Sequence, residues 1–128
     1  MQKKMEYNGV TFYSNGDYKW TDLDVPDNLT EIMFPYIASG YSSYYFCHCT
    51  KSFPHIQKLI IPAYVYLTMP NSMFPNVREV IHNGPNGLTK PYHTHPDGKT
   101  LYNAFCLRED ETADLSGISQ IADDAFSG

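Results

Sequence analysis

The segment that most constrains the fold of this chain is its last eleven residues, Ile118–Gly128, which read I-x-x-I-x-x-x-A-F-x-G. Related spacings of apolar residues recur earlier in the sequence. Self-similarity at a period of roughly 20 to 50 residues is the signature of architectures built from stacked units, in which each unit buries its apolar face against its neighbours. The segment therefore predicts a repeat fold, and the extended surface of a repeat fold favours binding over catalysis.

Four other segments show the strand half of such a unit. Two of them, Leu29–Pro35 and Ile56–Pro62, read L-x-x-I-x-F-P and I-x-x-L-x-I-P, and the other two begin at Val77 and Leu101. Successive strands start 27, 21 and 24 residues apart, a spacing typical of repeats whose strand carries L-x-x-L-x-L. We predict parallel strands at 29–34, 56–61, 77–82 and 101–106, and a core that comprises Leu29, Ile32, Phe46, Ile56, Leu59, Ile61, Val77, Val80 and Phe126.

This combination of motifs resembles the BspA-like class of leucine-rich repeats, also called the Treponema pallidum type, over residues 29–128. His82 and Cys106 depart from the class, because they stand where it has aliphatic residues. The resemblance implies a mainly β fold, a short leucine-rich-repeat β-solenoid with parallel strands. It also implies a non-enzymatic module, without a cofactor, that binds a protein or a glycan. Such a module would be a segment of a larger surface or secreted protein, with adjacent repeats beside it.

The sequence divides into two parts on this interpretation. Residues 1–28 carry a hairpin signal around Asn15 and Gly16, a pair that suits a turn in which both central residues have positive φ. We expect this hairpin and its connector to cap the open end of the first repeat; the alternative is a remnant of an upstream domain. Residues 29–128 would form the repeats, with an irregular insertion at about 83–100.

Composition limits the classes of partner. Nine basic and fourteen acidic residues give a net charge of −5, which argues against nucleic acid, since a nucleic-acid-binding protein presents a basic face. No apolar run approaches the ~20 residues that cross a bilayer, so membrane insertion is not expected. Residues 1–6 lack the apolar core of a signal peptide. Eleven tyrosines suit a binding surface, and they also suit strands.

Stacking of the four predicted strands would align equivalent residues about 4.8 Å apart. One outward position gives a polar ladder of Glu31, Lys58, Glu79 and Asn103, and another gives a row of apolar side chains that we call the apolar row: Met33, Ile60, Ile81 and Phe105. Four exposed apolar residues in a line are typical of an interaction site. We predict that the apolar row, with Lys58, Arg78 and Tyr102 beside it, binds the partner. The alternative is that the hairpin or the 83–100 insertion covers it.

A second interpretation rests on the insertion. Residues 87–95 contain G-x5-H-x-H, which resembles the start of the first cupin metal motif, and His93 and His95 on one strand would point the same way. A cupin has a Glu where Thr100 stands, and nearby prolines favour a loop. The alternative function is therefore a small cupin-like metal-binding β-protein that uses His93 and His95. Our main prediction is that both histidines are exposed and that the chain holds no metal.

Overall fold

The computed structural model of the chain describes residues 3–14, 19–36, 43–62, 66–95, 98–105, 115–123 and 125–126. Within these ranges the chain is mainly β, and the one helix is a 3-10 turn at Asn71–Met73. None of the described helical structure is long and apolar enough to span a bilayer. The strands, in chain order, are β1 (Lys3–Tyr7), β2 (Val10–Ser14), β3 (Lys19–Asp24), β4 (Glu31–Met33), β5 (Ser43–Tyr45), β6 (Lys58–Ile60), β7 (Tyr66–Thr68), β8 (Glu79–His82), β9 (Leu88–Lys90), β10 (His93–Thr94), β11 (Thr100–Asn103) and β12 (Gln120–Ile121).

The first sheet has the order β1-β2-β3-β5-β7. Strands β1 and β2 form a hairpin whose two turn residues, Asn8 and Gly9, have φ of 49° and 85°, the left-handed conformation that such a tight turn requires. Strands β2 and β3 are antiparallel, as the Asn15–Gly16 pair predicts, and that turn itself lies outside the described residues. Beyond β3 the pairing becomes parallel, so this sheet is mixed.

The second sheet has the order β4-β6-β8-β9. Its first three strands are parallel, and they pair Met33 with Ile60 and Ile60 with Ile81. The chain then turns back at Asn83 and Gly84, which have φ of 63° and 95°, and β9 pairs antiparallel with β8. Strand β9 therefore occupies the position at which a fourth parallel strand would continue the stack.

The third sheet is the smallest and has the order β10-β11-β12. Strand β11 lies in the middle, antiparallel to β10 and parallel to β12. A β-bulge separates His93 from Thr94 in β10. A bulge changes the twist and direction of a short strand, and here it lies where the chain passes from the second sheet into the third.

One hydrophobic core joins the first two sheets. At its centre the ring of Tyr44 lies 5.5 Å from that of Phe12 and 5.2 Å from that of Phe34. The buried Tyr44 hydroxyl donates a hydrogen bond to the carbonyl oxygen of Pro35 over 2.7 Å. Burial of this ring therefore does not leave its hydroxyl without a hydrogen-bond partner. Because Phe12 belongs to residues 1–28, that part of the chain shares its core with the rest. The division at residue 28 stays a prediction.

The prediction of a leucine-rich-repeat solenoid is wrong. Three small mixed sheets replace a single stack of parallel strands. The first three predicted strands do pair in the expected register, but the fourth, at 101–106, contributes β11 to the third sheet instead. The physical reason is the turn at Asn83–Gly84, because the hairpin that it forms covers the open edge of β8 before β11 is reached.

Most of the predicted core residues are buried, although they serve a different architecture. Burial is confirmed for seven of them, and Leu29 packs against the core while partly buried. Phe126 is the exception, since 62% of its surface is exposed. Its neighbour Ala125 is fully buried instead. In the last segment, therefore, the small side chain of Ala125 points inward and the large ring of Phe126 points toward solvent.

Candidate binding surface

The predicted apolar row is aligned as expected but is not exposed. Ile60 and Ile81 are only 6% and 8% accessible. Met33, at the end of the row, is half-buried, and its sulfur lies 3.5 Å from the Tyr7 hydroxyl and 3.8 Å from the Asn8 amide nitrogen. The β1–β2 turn thus covers this end of the row, which corrects the expectation that these side chains form a free docking stripe.

The remaining member of the row lies elsewhere. Phe105 has a left-handed backbone with φ of 47°, and its ring packs against that of Phe74 with centroids 6.5 Å apart. Because β11 belongs to the third sheet, neither Phe105 nor Tyr102 extends the line of Met33, Ile60 and Ile81. The ring of Tyr102 instead contacts His93 and His95 at 5.4 and 5.9 Å.

The polar neighbours of the row are partly in place. Lys58 lies 3.9 Å from the Glu79 carboxylate on the adjacent strand, so the two parallel strands place opposite charges side by side as the ladder predicts. Both side chains are substantially exposed, and such a pair contributes little to stability. Arg78 is exposed just before β8. A binding role for Lys58 and Arg78 stays a prediction.

The histidines of the insertion are not a free surface pair. His93 is 2% exposed, which contradicts the expectation that it is accessible. Its Nδ1 donates a hydrogen bond to Asn103 Oδ1 over 2.9 Å, and burial lowers its pKa to about 4. His95 is half-buried at the end of β10. The described ranges contain no group of three or more His, Cys, Asp or Glu side chains that could hold a metal, and we assign no metal ligand here.

A buried polar network accompanies His93, and sequence analysis did not predict it. Asn103, expected in the solvent-facing ladder, is buried, and its Nδ2 donates to the Met69 carbonyl over 2.8 Å and to Asn71 Oδ1 over 3.0 Å. Asn71 in turn donates to the Ala125 carbonyl over 2.9 Å and accepts from the Phe105 N–H over 3.2 Å. The network therefore joins the segment after β7 to the third sheet and to the residues that follow β12.

Two large apolar side chains are exposed in β12 and in the segment after it. Ile121 within the strand is 55% exposed, and Phe126 just beyond it is 62% exposed. Strand β12 is the last strand of its sheet, and none of the described residues pairs with its outer side. We call this surface, composed of the outer side of β12 with Ile121 and Phe126, the β12 edge.

The backbone of β12 presents its hydrogen-bonding groups to that open side. The N–H groups of Gln120 and Ala122 donate to the Lys99 and Leu101 carbonyls over 3.1 and 2.9 Å. Amide groups of successive residues alternate between the two sides of a strand, so the N–H and C=O of Ile121 point outward. The β12 edge therefore combines a peptide group that no described residue pairs with and two exposed apolar side chains.

Three of the other described edge strands, β1, β4 and β9, carry charged side chains, whereas β7 and β10 do not. Strand β1 has Lys3, Lys4 and Glu6, and β9 ends in Lys90. Charged side chains, lysine above all, are the usual means by which a protein prevents its sheet edges from pairing with other chains. The described residues of β12 are Gln120 and Ile121, and neither is charged. In the uncharged edge strands β7 and β10, Leu67, His93 and Thr94 are buried, so the exposed Ile121 is what makes the β12 edge a candidate surface for an incoming strand.

Comparison with known proteins identifies no relative of this chain. It matches no protein-family model, no curated protein and no solved structure. The BspA-like resemblance of the repeat motifs therefore remains a proposal that rests on the residues alone, and the function has to be argued from the geometry described above.

Proposed function

We propose that this chain is a non-enzymatic module that binds a protein, and that the partner adds an extended segment to the β12 edge. The observation that carries the proposal is the coincidence of an unpaired strand edge with the exposed side chains of Ile121 and Phe126. In this mode of recognition the main-chain hydrogen bonds give affinity, and alternate side chains of the added strand give specificity.

The chemistry of the edge favours a protein over a glycan. Ile121 offers one outward peptide group with both a donor and an acceptor, and an extended peptide presents the matching pair at the same spacing. An apolar residue of the added strand would cover Ile121 and Phe126, and removal of such apolar area from water is favourable by roughly 25 cal/mol per Å². Asp123 lies exposed beyond the strand and would favour a basic residue in the partner.

For the location of this module we follow what the BspA-like resemblance implies. We propose that the chain acts at a cell surface or outside the cell, as part of a larger protein. A strand from an adjacent unit of that protein would satisfy the β12 edge in the same way as a separate partner. No catalytic residue and no cofactor enter the proposal. The alternative cupin-like function gains no support from the geometry, because His93 is buried and bound to Asn103.

A selected peptide can test the proposal without knowledge of the natural partner. Peptides of about twelve residues from a phage-displayed library would be selected against the chain, and their affinity measured by fluorescence polarisation. We expect Ile121→Asp and Phe126→Ser each to weaken binding by about tenfold or more, because truncation of an apolar anchor commonly costs that much. Leu88→Ser is the matched control, since Leu88 is 63% exposed on the edge strand β9 of the second sheet.

The outcomes separate the possibilities. Peptides that keep their affinity for the Ile121→Asp and Phe126→Ser variants would contradict the proposal, as would an equal loss in Leu88→Ser. Sedimentation of the wild-type chain tests whether it forms a dimer through the β12 edge. A dimer that both β12-edge substitutions abolish would assign the edge to a second copy of this chain rather than to a different protein.

A further inference from the structure

The second and third sheets meet through a pair of buried histidines. His82 ends β8 in the second sheet, and His93 begins β10 in the third. Their rings are stacked, with centroids 6.1 Å apart and planes inclined by 11°. The backbone N–H of Thr94 in β10 donates a hydrogen bond to His82 Nε2 over 3.1 Å. The junction of the two sheets therefore includes a hydrogen bond that ends on a titratable nitrogen.

The hydrogen bonds define where the protons lie on both rings. Because His82 Nε2 accepts from an amide, it carries no proton, and His82 Nδ1 bears the proton that it donates toward the Leu88 carbonyl over 3.4 Å. His93 donates from Nδ1 to Asn103 Oδ1, so in the neutral form of this ring Nε2 carries no proton. Both imidazoles are neutral in this arrangement, and burial lowers the pKa of each below its usual value.

A proton added to His82 has only one place to bind, which is Nε2. Two donors, the new Nε2–H and the Thr94 N–H, would then face each other where a hydrogen bond had been. Protonation of His93 would place a second positive charge within the stacked pair. The other titratable groups that face the pair are Lys90 on β9, whose positive charge opposes protonation of His82, and Tyr102 and His95 from the third sheet.

We propose that the His82–His93 junction is an acid-sensitive switch that releases the third sheet from the second. Above the pH range in which His82 and His93 titrate, the neutral rings stack and the Thr94 N–H is hydrogen-bonded to His82. Below it, the bond between β10 and His82 is lost and the charged rings repel, so β10, β11 and β12 separate from the β8–β9 hairpin. The release concerns a small sheet with its own minor core of Tyr92, Leu101 and Ala125, and the larger core stays intact.

The switch would also affect the β12 edge, because among the described strands β12 pairs with β11 of the third sheet. This consequence rests on the proposed function, whereas the switch itself does not. A chain that binds no peptide could still show it, and the experiment below therefore uses the free protein.

Amide hydrogen exchange followed by NMR between pH 7 and pH 4 tests the switch. Because exchange slows chemically in acid, each amide is compared as a protection factor. We expect the amide of Thr94, which donates to His82, to lose protection in one step, while that of Ala122, which donates to Leu101 within the third sheet, and those of Phe12 and Leu23 in the first sheet keep theirs. In His82→Gln the side-chain oxygen still accepts from the Thr94 N–H but does not titrate. The pH at which protection is lost should therefore be lower by about one unit.

Controls keep the result interpretable. His55→Gln changes an imidazole whose Nε2 lies 3.1 Å from the Pro26 carbonyl oxygen and whose ring packs edge-on against Phe53, and it should leave the step where it is. Nitrogen-15 spectra of wild-type His82 should show the Nδ1–H form at pH 7, a measurement that does not depend on any variant folding. An Nε2–H form, simultaneous loss of protection in the first and third sheets, or an unmoved step in His82→Gln would each overturn the proposal.

Discussion

Asn103 donates a hydrogen bond from Nδ2 to Oδ1 of Asn71 over 3.0 Å, and this bond connects β11 to the 3-10 turn after β7. Both amides are buried; Asn103 also donates to the Met69 carbonyl, and Asn71 also donates to the Ala125 carbonyl of a third segment. Buried amides that satisfy one another are sensitive to change, because removal of one leaves several partners without a hydrogen bond.

Asn103→Ala should destabilise the protein by roughly 2–4 kcal/mol, since it removes the partner of the Met69 carbonyl and of His93 Nδ1 and one of the two donors to Asn71 Oδ1. Urea denaturation followed by tyrosine and tryptophan fluorescence measures the change. Asn76→Ala removes an exposed amide that has one hydrogen bond, to the Pro54 carbonyl, and should cost much less. Equal losses in the two variants would show that the buried network is not important for stability.

Stability should fall as the pH is lowered because His93 has a depressed pKa. Its pKa is about 4 in the folded chain and about 6.5 when unfolded, so the unfolded state binds the proton first. The stabilisation is complete above about pH 6.5 and is lost as pH falls toward 4, on the order of 3 kcal/mol for this group. Urea unfolding at several pH values should show this slope. In His93→Gln the unfolding free energy should depend less steeply on pH. An unchanged dependence would show that other groups cause it.

Gly87 is required by close packing within the β8–β9 hairpin rather than by an unusual φ. A Cβ at this position would overlap the backbone carbonyl oxygen of His82. We expect Gly87→Ala to destabilise the chain by roughly 3 kcal/mol, at the upper end of overpacking costs, with a fall in melting temperature. Asn86→Ala, at the exposed neighbouring position, serves as the control and should leave the melting temperature nearly unchanged.

Ile61→Asp should prevent folding, because it places an unpaired charge in the main core, and such a charge costs an amount comparable to the whole stability. The same substitution at the exposed Ile121 should be tolerated, with a change in stability within about 0.5 kcal/mol. Circular dichroism and thermal melts of the two variants provide the comparison. A cooperatively folded Ile61→Asp protein would contradict the core assignment.

The sequence predicts the local strands of this protein better than it predicts their assembly. The pattern of Leu29–Pro35 and Ile56–Pro62 predicts which side chains turn inward, and the observed register follows it. This success has a simple cause, since a slip of one residue would turn every buried side chain outward. The polar ladder likewise predicts that Lys58 and Glu79 are neighbours.

Long-range pairing could not be predicted in the same way. Residues 83–90 form a hairpin because Asn83 and Gly84 adopt positive φ, and that hairpin ends the parallel stack. The L-x-x-A pattern at Leu101 predicts an inward Leu101 in any sheet, so it could not distinguish the third sheet from the second. Asn103 and His93 illustrate the same limit, because a polar residue is assigned to the surface unless its buried partners are known.

Hydrogen exchange of the Ile121 amide, with and without a selected peptide, tests the central claim most directly. In the free chain this N–H points away from β11 and should exchange rapidly, whereas those of Gln120 and Ala122 are bonded to β11. When a partner strand adds to the β12 edge, the Ile121 amide should become protected by about tenfold or more, because it gains a hydrogen bond. A bound peptide that leaves Ile121 exchanging as rapidly as before would contradict the account.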